Sequence, residues 1–352
     1  MKYFIKILML MIVVLCFGVG CAAKQKSALK ETELDWAKKV VGKIELNDDL
    51  LEITNYKCYN DNIYIVDNIA KSIHVYDFSG SHQFSFGSEG VGPGEFSGIY
   101  QFYIIDDMIV TYDYEKMKYI KYAVDGAFIE ESDPKVNIYT FWLEENEFPK
   151  NLLGVVTKRD KVDGQLIEKT MLCEFYRNFD LKKELIELKT STNEIDFITE
   201  GNHFSVNPLN NIISIPQKKI GKIEIDHYDE YGNYISTNMF SYPKIKYSNA
   251  EFLDIKETLD WHNKMFRKSY SVNDIPPFKN SVRQLKYDDH GYLWLLVNTD
   301  KLQDKMYIFD TNMNSVGFYY TTAYDFILHK DLNLEITDES ITIYKYKLES
   351  SD

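Results

Sequence analysis

The chain has 352 residues, 45% hydrophobic and 27% charged, a globular composition with the length for a large core. Its formal net charge is −14, and no basic stripe interrupts the acidity. A duplex or polyanion binder concentrates Lys and Arg on one face, so nucleic acid is excluded as a partner; the acidity serves solubility and favours cations or neutral sugars.

The first residues are MKYFIKILMLMIVVLCFGVGC. Lys2 and Lys6 form a positive n-region, and Ile7 to Gly20 form an apolar stretch of fourteen residues, too short to span a bilayer comfortably. That is the pattern of a secretory signal over residues 1–20. Gly18 and Gly20 lead into Cys21, which resembles a bacterial lipobox with Cys21 as the lipid site, although Gly18 stands where a larger aliphatic residue is usual. Without the signal two lysines are lost and the charge becomes −16. Residues 21–36 read as a flexible polar tether. The segment AAKQKS after Cys21 lacks an acidic run, which points to the outer membrane with the protein facing the periplasm. Of the remaining cysteines, Cys58 and Cys173 each lie in a β-like run and read as buried small hydrophobes in different sheets, with one disulfide as the other option.

From residue 37 to 350 the chain repeats a four-strand unit. The first copy is LEITNYKC, NIYIVDN, SIHVYDF and HQFSFG, each alternating or continuously apolar. The second is GIYQFYII, MIVTYDY, MKYIKYAV and AFIEE; the third is YTFWLEE, LLGVVTK, TMLCEFY and KELIELK. The fourth is HFSVNP, NIISIP, KIEIDHY and YISTNMF; the fifth is VRQLKYD, YLWLLVN, KMYIFD and SVGFYYT. The last has three strands, YDFILHK, LNLEITD and SITIYKYKL. An orphan strand, KKVVGKIEL, precedes the first copy and supplies the missing one. The expected fold is an all-β, six-bladed β-propeller of four-stranded antiparallel blades, its last blade closed by Val40–Leu46 against Ser340–Leu348.

Three stretches carry a family resemblance: NIYIVDNIAKSIHVYDFSG, the loop GVGPGEF after the first blade, and PPFKNSVRQLKYDDHGYLWLLV. The chain resembles the six-bladed β-propeller lipoproteins of anaerobic gut-type bacteria, relatives of the NHL-repeat propellers. The resemblance covers nearly the whole mature chain. It implies a fold and an envelope location, and supplies no catalytic residues.

Strands within a blade alternate direction. The a–b and c–d turns therefore fall on one face and are short, as at Asn60-Asp61, Asp125-Gly126, Asn210-Asn211 and Gly232-Asn233. The b–c turns and d–a crossings fall on the other face and are long: 87–97, 131–138, 159–167, 189–202 and 241–281. Long loops on one face mark a binding face. In FGSEGVGPGEF the glycines and Pro93 allow a tight crossing; no Lys-Ser or Lys-Thr follows and the next element is a strand, so it is not a phosphate loop. Glu95 is its candidate ligand acceptor. The longest crossing holds a helical insert at about 247–270, capped by Ser248 or Asn249. There Trp261 and His262 form the most ligand-like pair, and Arg267 and Phe278 are further contact candidates.

The chemistry of the rest is sparse. The seven histidines are scattered without metal spacing, and there is no G-x-S-x-G elbow. His203 and His227 share a blade and read as ordinary polar residues. Asp289-His290-Gly291-Tyr292-Leu293-Trp294 only loosely echoes the Asp-box turn of sialidases. The sequence has 27 Tyr, 21 Phe and 4 Trp, which mostly fill inter-blade layers; Tyr114, Trp142, Trp261 and Phe278 are placed to stack on sugars or anchor a partner. Two functions follow. The first is a non-catalytic binding lipoprotein with an envelope protein, peptide or glycan on the long-loop face. The second is a cation-dependent hydrolase or lactonase, with Ca²⁺ held at the channel mouth by Asp67, Asn68, Asp113, Glu95 and Asn298.

Overall fold

Strands form where the sequence alternates or runs continuously apolar. The computed structural model describes residues 24–26, 28–34, 39–45, 50, 52–133, 141–144, 152–162, 165–176, 181–191, 204–266, 271, 275–300, 303–323, 325–337 and 340–346. Strands β1 (Lys24–Lys26) and β2 (Lys39–Glu45) precede the first blade. Blade 1 is β3 (Ile53–Tyr59), β4 (Asn62–Asp67), β5 (Ser72–Asp77) and β6 (His82–Phe86). Blade 2 is β7 (Ile99–Ile105), β8 (Met108–Asp113), β9 (Lys118–Ala123) and β10 (Phe128–Ser132). Blade 3 is β11 (Phe141–Glu144), β12 (Leu152–Val162), β13 (Gln165–Phe175) and β14 (Leu181–Ser191). Blade 4 is β15 (Ser205–Val206), β16 (Ile213–Pro216), β17 (Lys222–Tyr228) and β18 (Tyr234–Ser241), followed by helix α1 (Asn249–Phe266). Blade 5 is β19 (Val282–Tyr287), β20 (Leu293–Val297), β21 (Asp304–Phe309) and β22 (Ser315–Thr321). Blade 6 is β23 (Asp325–His329), β24 (Leu332–Ile336) and β25 (Ser340–Lys345). Its fourth strand is β2, antiparallel to β25 with Val40 opposite Tyr344 and Ile44 opposite Ile341. The fold is the expected all-β six-bladed propeller closed by its N-terminal strand.

The alternation of side chains along each strand builds the interfaces. Tyr64 and Val66 face blade 2, whereas Ile63 and Ile65, one residue out of phase, face blade 6. The same division gives one apolar cluster at each junction. Phe102 and Ile104 join blade 2 to blade 1, while Tyr103 and Ile105 join it to Leu152, Val156, Cys173 and Phe175 of blade 3. Cys58 and Cys173 are free thiols in different blades, as expected of small hydrophobes. Closure is tight: a Cβ on Gly42 of β2 would lie 2.2 Å from the carbonyl oxygen of Phe78, so only glycine fits there.

The expected short turns carry the positive φ they need: Asn60 at 53°, Gly126 at 86°, Asn211 at 60° and Gly232 at 85°. An aspartate commonly holds them. Asp77, Asp229 and Asp310 each accept the amides two and four residues on.

Two segments differ from expectation. The 159–167 loop is a hairpin instead: β12 and β13 stay in register from Leu152–Phe175 to Val162–Gln165, and β14 follows β13 up to Ser191. The charged run Lys158–Lys161 reads as loop, but its backbone pairs with β13 from Lys158–Lys169 to Lys161–Leu166. The N-terminal segment is not a free tether over its described part. β1 pairs in parallel with β18 of blade 4, Lys24 opposite Thr237. Glu33 bridges Phe318 of blade 5, Leu34 N donates to Phe318 O at 2.7 Å, and Glu31 meets Lys305 at 2.9 Å. The signal and Cys21 lie outside the described residues.

Candidate functional site: the channel wall

The innermost strands meet around the axis: β15 touches β19, β19 touches β23, β23 touches β3 and β3 touches β7. Where they meet, three polar side chains from three blades converge. Tyr56 of blade 1 donates its hydroxyl to the Asp325 carboxylate of blade 6. Lys286 of blade 5 lies 3.5 Å from the same carboxylate, donates to the Phe326 carbonyl, and sits 5.2 Å from the Phe326 ring centre. Asp325 is the first residue of β23, at the end where the d–a crossing delivers the chain, so it belongs to the long-loop side of the channel.

Asp325 is deeply surrounded, yet 31% of its side chain and 26% of that of Lys286 remain exposed. Burial pushes the Asp325 carboxyl up to about 7, with the Phe326 amide pulling the other way. A carboxyl poised there donates or accepts a hydrogen bond at neutral pH. Beside it, Cys58 is pushed to about 12 by burial, against the pull of Lys286 and Lys57, so its thiol stays protonated and is no nucleophile. Thr54 Oγ1 and Asn55 Oδ1 on β3, Gln284 Oε1 on β19 and Ser281 Oγ just before it are buried without a hydrogen-bond partner among the described residues. An atom that stays unpaired there costs about 1–3 kcal/mol.

The residues singled out from sequence have other positions. Glu95 turns back into its own loop and accepts the Gly92 amide at 2.7 Å. Lys116 crosses beneath to the carbonyls of Gly92 (3.0 Å) and Glu95 (3.1 Å) and pairs with Glu131 at 2.6 Å. Burial acts to raise the Glu131 carboxyl, but Lys116 and the Gly94 amide hold it below its usual range. Phe96 is fully buried against Tyr122. The FGSEGVGPGEF stretch is thus a pinned corner, as its turn residues imply. Trp261 and His262 lie on α1, and their side chains are outside the described residues, as are Arg267, Trp142 and His203. Helix α1 starts at a capping box in which Ser248 N donates to Glu251 (2.8 Å) and Glu251 N to Ser248 Oγ (3.2 Å). Phe278, downstream, is half-buried beneath Lys244 and Lys246, whose ammonium groups lie 5.7 and 5.9 Å from its ring centre. None of these joins the Tyr56–Asp325–Lys286 cluster among the described contacts.

The cation reading fits poorly. Asp113 accepts four backbone amides, from Ser97 (2.7 Å), Gly98 (3.2 Å), Glu115 (3.0 Å) and Lys116 (2.8 Å), which fill the acceptor positions of a carboxylate. Asp67 accepts those of Glu52 (3.2 Å), Ile69 (2.9 Å) and Ala70 (3.0 Å). Asn298 donates to the Asn280 carbonyl at 2.8 Å. These side chains hold strand ends and crossings. His227 is a satisfied core residue between Ser214 and Asn238, both at 2.8 Å, with burial lowering its pKa. In the loose Asp-box echo, Asp288 accepts the indole of buried Trp294 at 3.0 Å.

This geometry meets the comparisons with known proteins. Residues 44–209 match the family model DUF5128, described as a 6-bladed beta-propeller. The chain is a six-bladed β-propeller. The propeller is similar to a protein of Bacteroides fragilis NCTC 9343 inferred to be exported: 14% identity, TM-score 0.54, covering 92% of this chain and 100% of that one. It is also similar to a DUF4221 family member from Bacteroides vulgatus ATCC 8482, with 8% identity, TM-score 0.53, and coverage of 91% and 99%. At these identities the likeness shows the fold alone. No curated protein matches the sequence. Among the described residues no helix is long and apolar enough to cross a membrane.

Proposed function

We propose that this propeller is an exported, lipid-anchored binding module that seats a hydroxyl-rich ligand, the end of a glycan, at the long-loop end of its channel. The observation that carries the reading is the convergence of Tyr56, Lys286 and a partly open Asp325 from three blades. Asp325 accepts from or donates to sugar hydroxyls, Lys286 donates, and the Tyr56 oxygen, its proton given to Asp325, accepts. The export signal, Cys21 and the exported relative support the envelope location. Helix α1 and the 87–97 corner flank the same side and limit what approaches, and Trp261 and Arg267 are proposed as rim contacts for the rest of the glycan.

The test is a thermal-shift and glycan-array screen with mono- and oligosaccharides, using the wild type, Asp325→Asn and Lys286→Met. A sugar that raises the wild-type melting temperature and loses its effect in both variants supports the site. Binding that is equal in all three removes it. A second reading, hydrolysis, draws on the same Asp325, since a carboxyl titrating near neutrality suits a general acid. Turnover of a bound glycan, abolished by Asp325→Asn, would select that reading.

A further inference from the structure

The structure assigns the short-turn rim of blades 3 and 4 as the surface that rests on the lipid bilayer, with the channel mouth turned away; this builds on the reading of Cys21 as the lipid site. Strand β1 runs parallel to β18, with Lys24 opposite Thr237 and Lys26 opposite Met239. β18 starts at Tyr234, directly after the short turn at Gly232, so the chain before Lys24 arrives from the short-turn side. Cys21 is three residues upstream of Lys24, a reach of about 10 Å at full extension. Thr237 is likewise three residues past Tyr234. A lipid on Cys21 therefore holds this rim at the membrane, with no slack to turn the molecule over.

The surface at that position suits the bilayer interface. Tyr176 (51% exposed), Leu181 (37%), Leu209 (62%), Tyr231 (64%), Tyr234 (43%) and Ile235 (43%) all lie on this rim, six of the fourteen large apolar residues exposed among the described residues. Polar contacts tie their turns together. Asn211, beside Leu209, bonds Glu230, beside Tyr231, at 3.3 Å. Lys183 Nζ donates to the Tyr231 carbonyl at 3.2 Å, and Lys182 lies 5.8 Å from the Tyr176 ring centre. Tyrosines favour the headgroup level, where the ring is half-immersed and the hydroxyl stays wet. Lys183 adds charge of the sign that anionic headgroups attract, whereas Lys182 is paired with Glu174 at 2.9 Å. The rim also carries Asp229 and Glu230, as the other short turns carry Asp61, Asp107, Asp125, Asp289 and Asp331, so the anchor and the apolar side chains, not charge, select it.

The test compares hydrogen exchange in the full-length lipidated protein on phosphatidylethanolamine–phosphatidylglycerol vesicles with full-length Cys21→Ser in solution. Exchange should slow severalfold over 206–212 and 229–236 and stay unchanged over 87–97. Vesicle-bound protein with no slowing at 229–236, or with slowing at 87–97, overturns the orientation and leaves the anchor standing. Failure of the wild type to associate with vesicles overturns both. Slowing at 229–236 that is lost in a Leu209→Ser, Tyr231→Ser double variant supports the apolar rim as the contact.

Discussion

Replacing Asp325 by Asn should make the propeller less sensitive to alkali. The carboxyl moves from 3.8 when free to about 7 in the folded chain, because burial disfavours its charged form. A raised folded value means the native state binds more protons. The group's favourable contribution is therefore complete below about pH 4 and is lost as pH rises towards 7. Roughly three units at 1.36 kcal/mol each give an upper bound of about 4 kcal/mol. Lys286 at 3.5 Å and the 31% of the side chain still open to solvent both reduce it, so about 2–4 kcal/mol is expected. Asn keeps an acceptor for the Tyr56 hydroxyl and does not titrate. Urea unfolding of both proteins at pH 4.5 and pH 8 reads the difference, with all other groups cancelling. The variant should gain stability relative to wild type at pH 8 and little at pH 4.5. Parallel stabilities across that range would refute a buried, near-neutral carboxyl.

Other substitutions probe the closure, the corner and the insert. Gly42→Val forces a side chain into the Phe78 carbonyl and should open the seam between β2 and blade 1, with a loss of about 1–3 kcal/mol or more and aggregation seen by light scattering. Lys116→Met leaves Glu131 unpaired beneath the 87–97 corner; both side chains are at most 15% exposed, so about 3 kcal/mol should be lost. Because Glu131 is held below its usual value, that loss should shrink as pH falls below 4.5, a trend that thermal melts will detect. Ser248→Ala removes one side of the capping box and should cost about 1 kcal/mol, read locally as faster hydrogen exchange over 249–253.

Much of the architecture was legible because a propeller repeats one signal, alternation interrupted by Asn, Asp or Gly, until the count closes. The orphan strand was found because KVVGKIE keeps that alternation. The docking of β1 was not, because Lys24-Gln25-Lys26 has no apolar side chain to reveal a strand, although its backbone pairs with β18. Polarity misled in the same way at Lys158–Lys161. Glu95 was open to a functional reading, although a carboxylate three residues after Gly92 is also placed to accept that glycine's amide. The channel cluster left no local trace at all. Tyr56 and Asp325 are 269 residues apart, and only the ring closure brings them together.

The wall of the channel offers a direct check on whether its polarity serves binding. β3 places Thr54 and Asn55, and β19 places Gln284, with buried oxygens that meet no partner among the described residues; those of Thr111, Ser315 and Asn333, farther out in the blades, meet none either. If those atoms exist for a ligand, removing one should help folding. Thr54→Val keeps the shape of the side chain and deletes only the hydroxyl, so the unpaired-group penalty of about 1–3 kcal/mol disappears. The expected result is a variant at least as stable as wild type by urea unfolding, with weaker sugar binding in the thermal-shift screen. The two readouts separate the explanations, since a structural hydroxyl and a binding hydroxyl move them in opposite directions. A Thr54→Val protein that is less stable by 1 kcal/mol or more would mean that the hydroxyl is bonded in solution and contributes to the fold, about what a net hydrogen bond supplies.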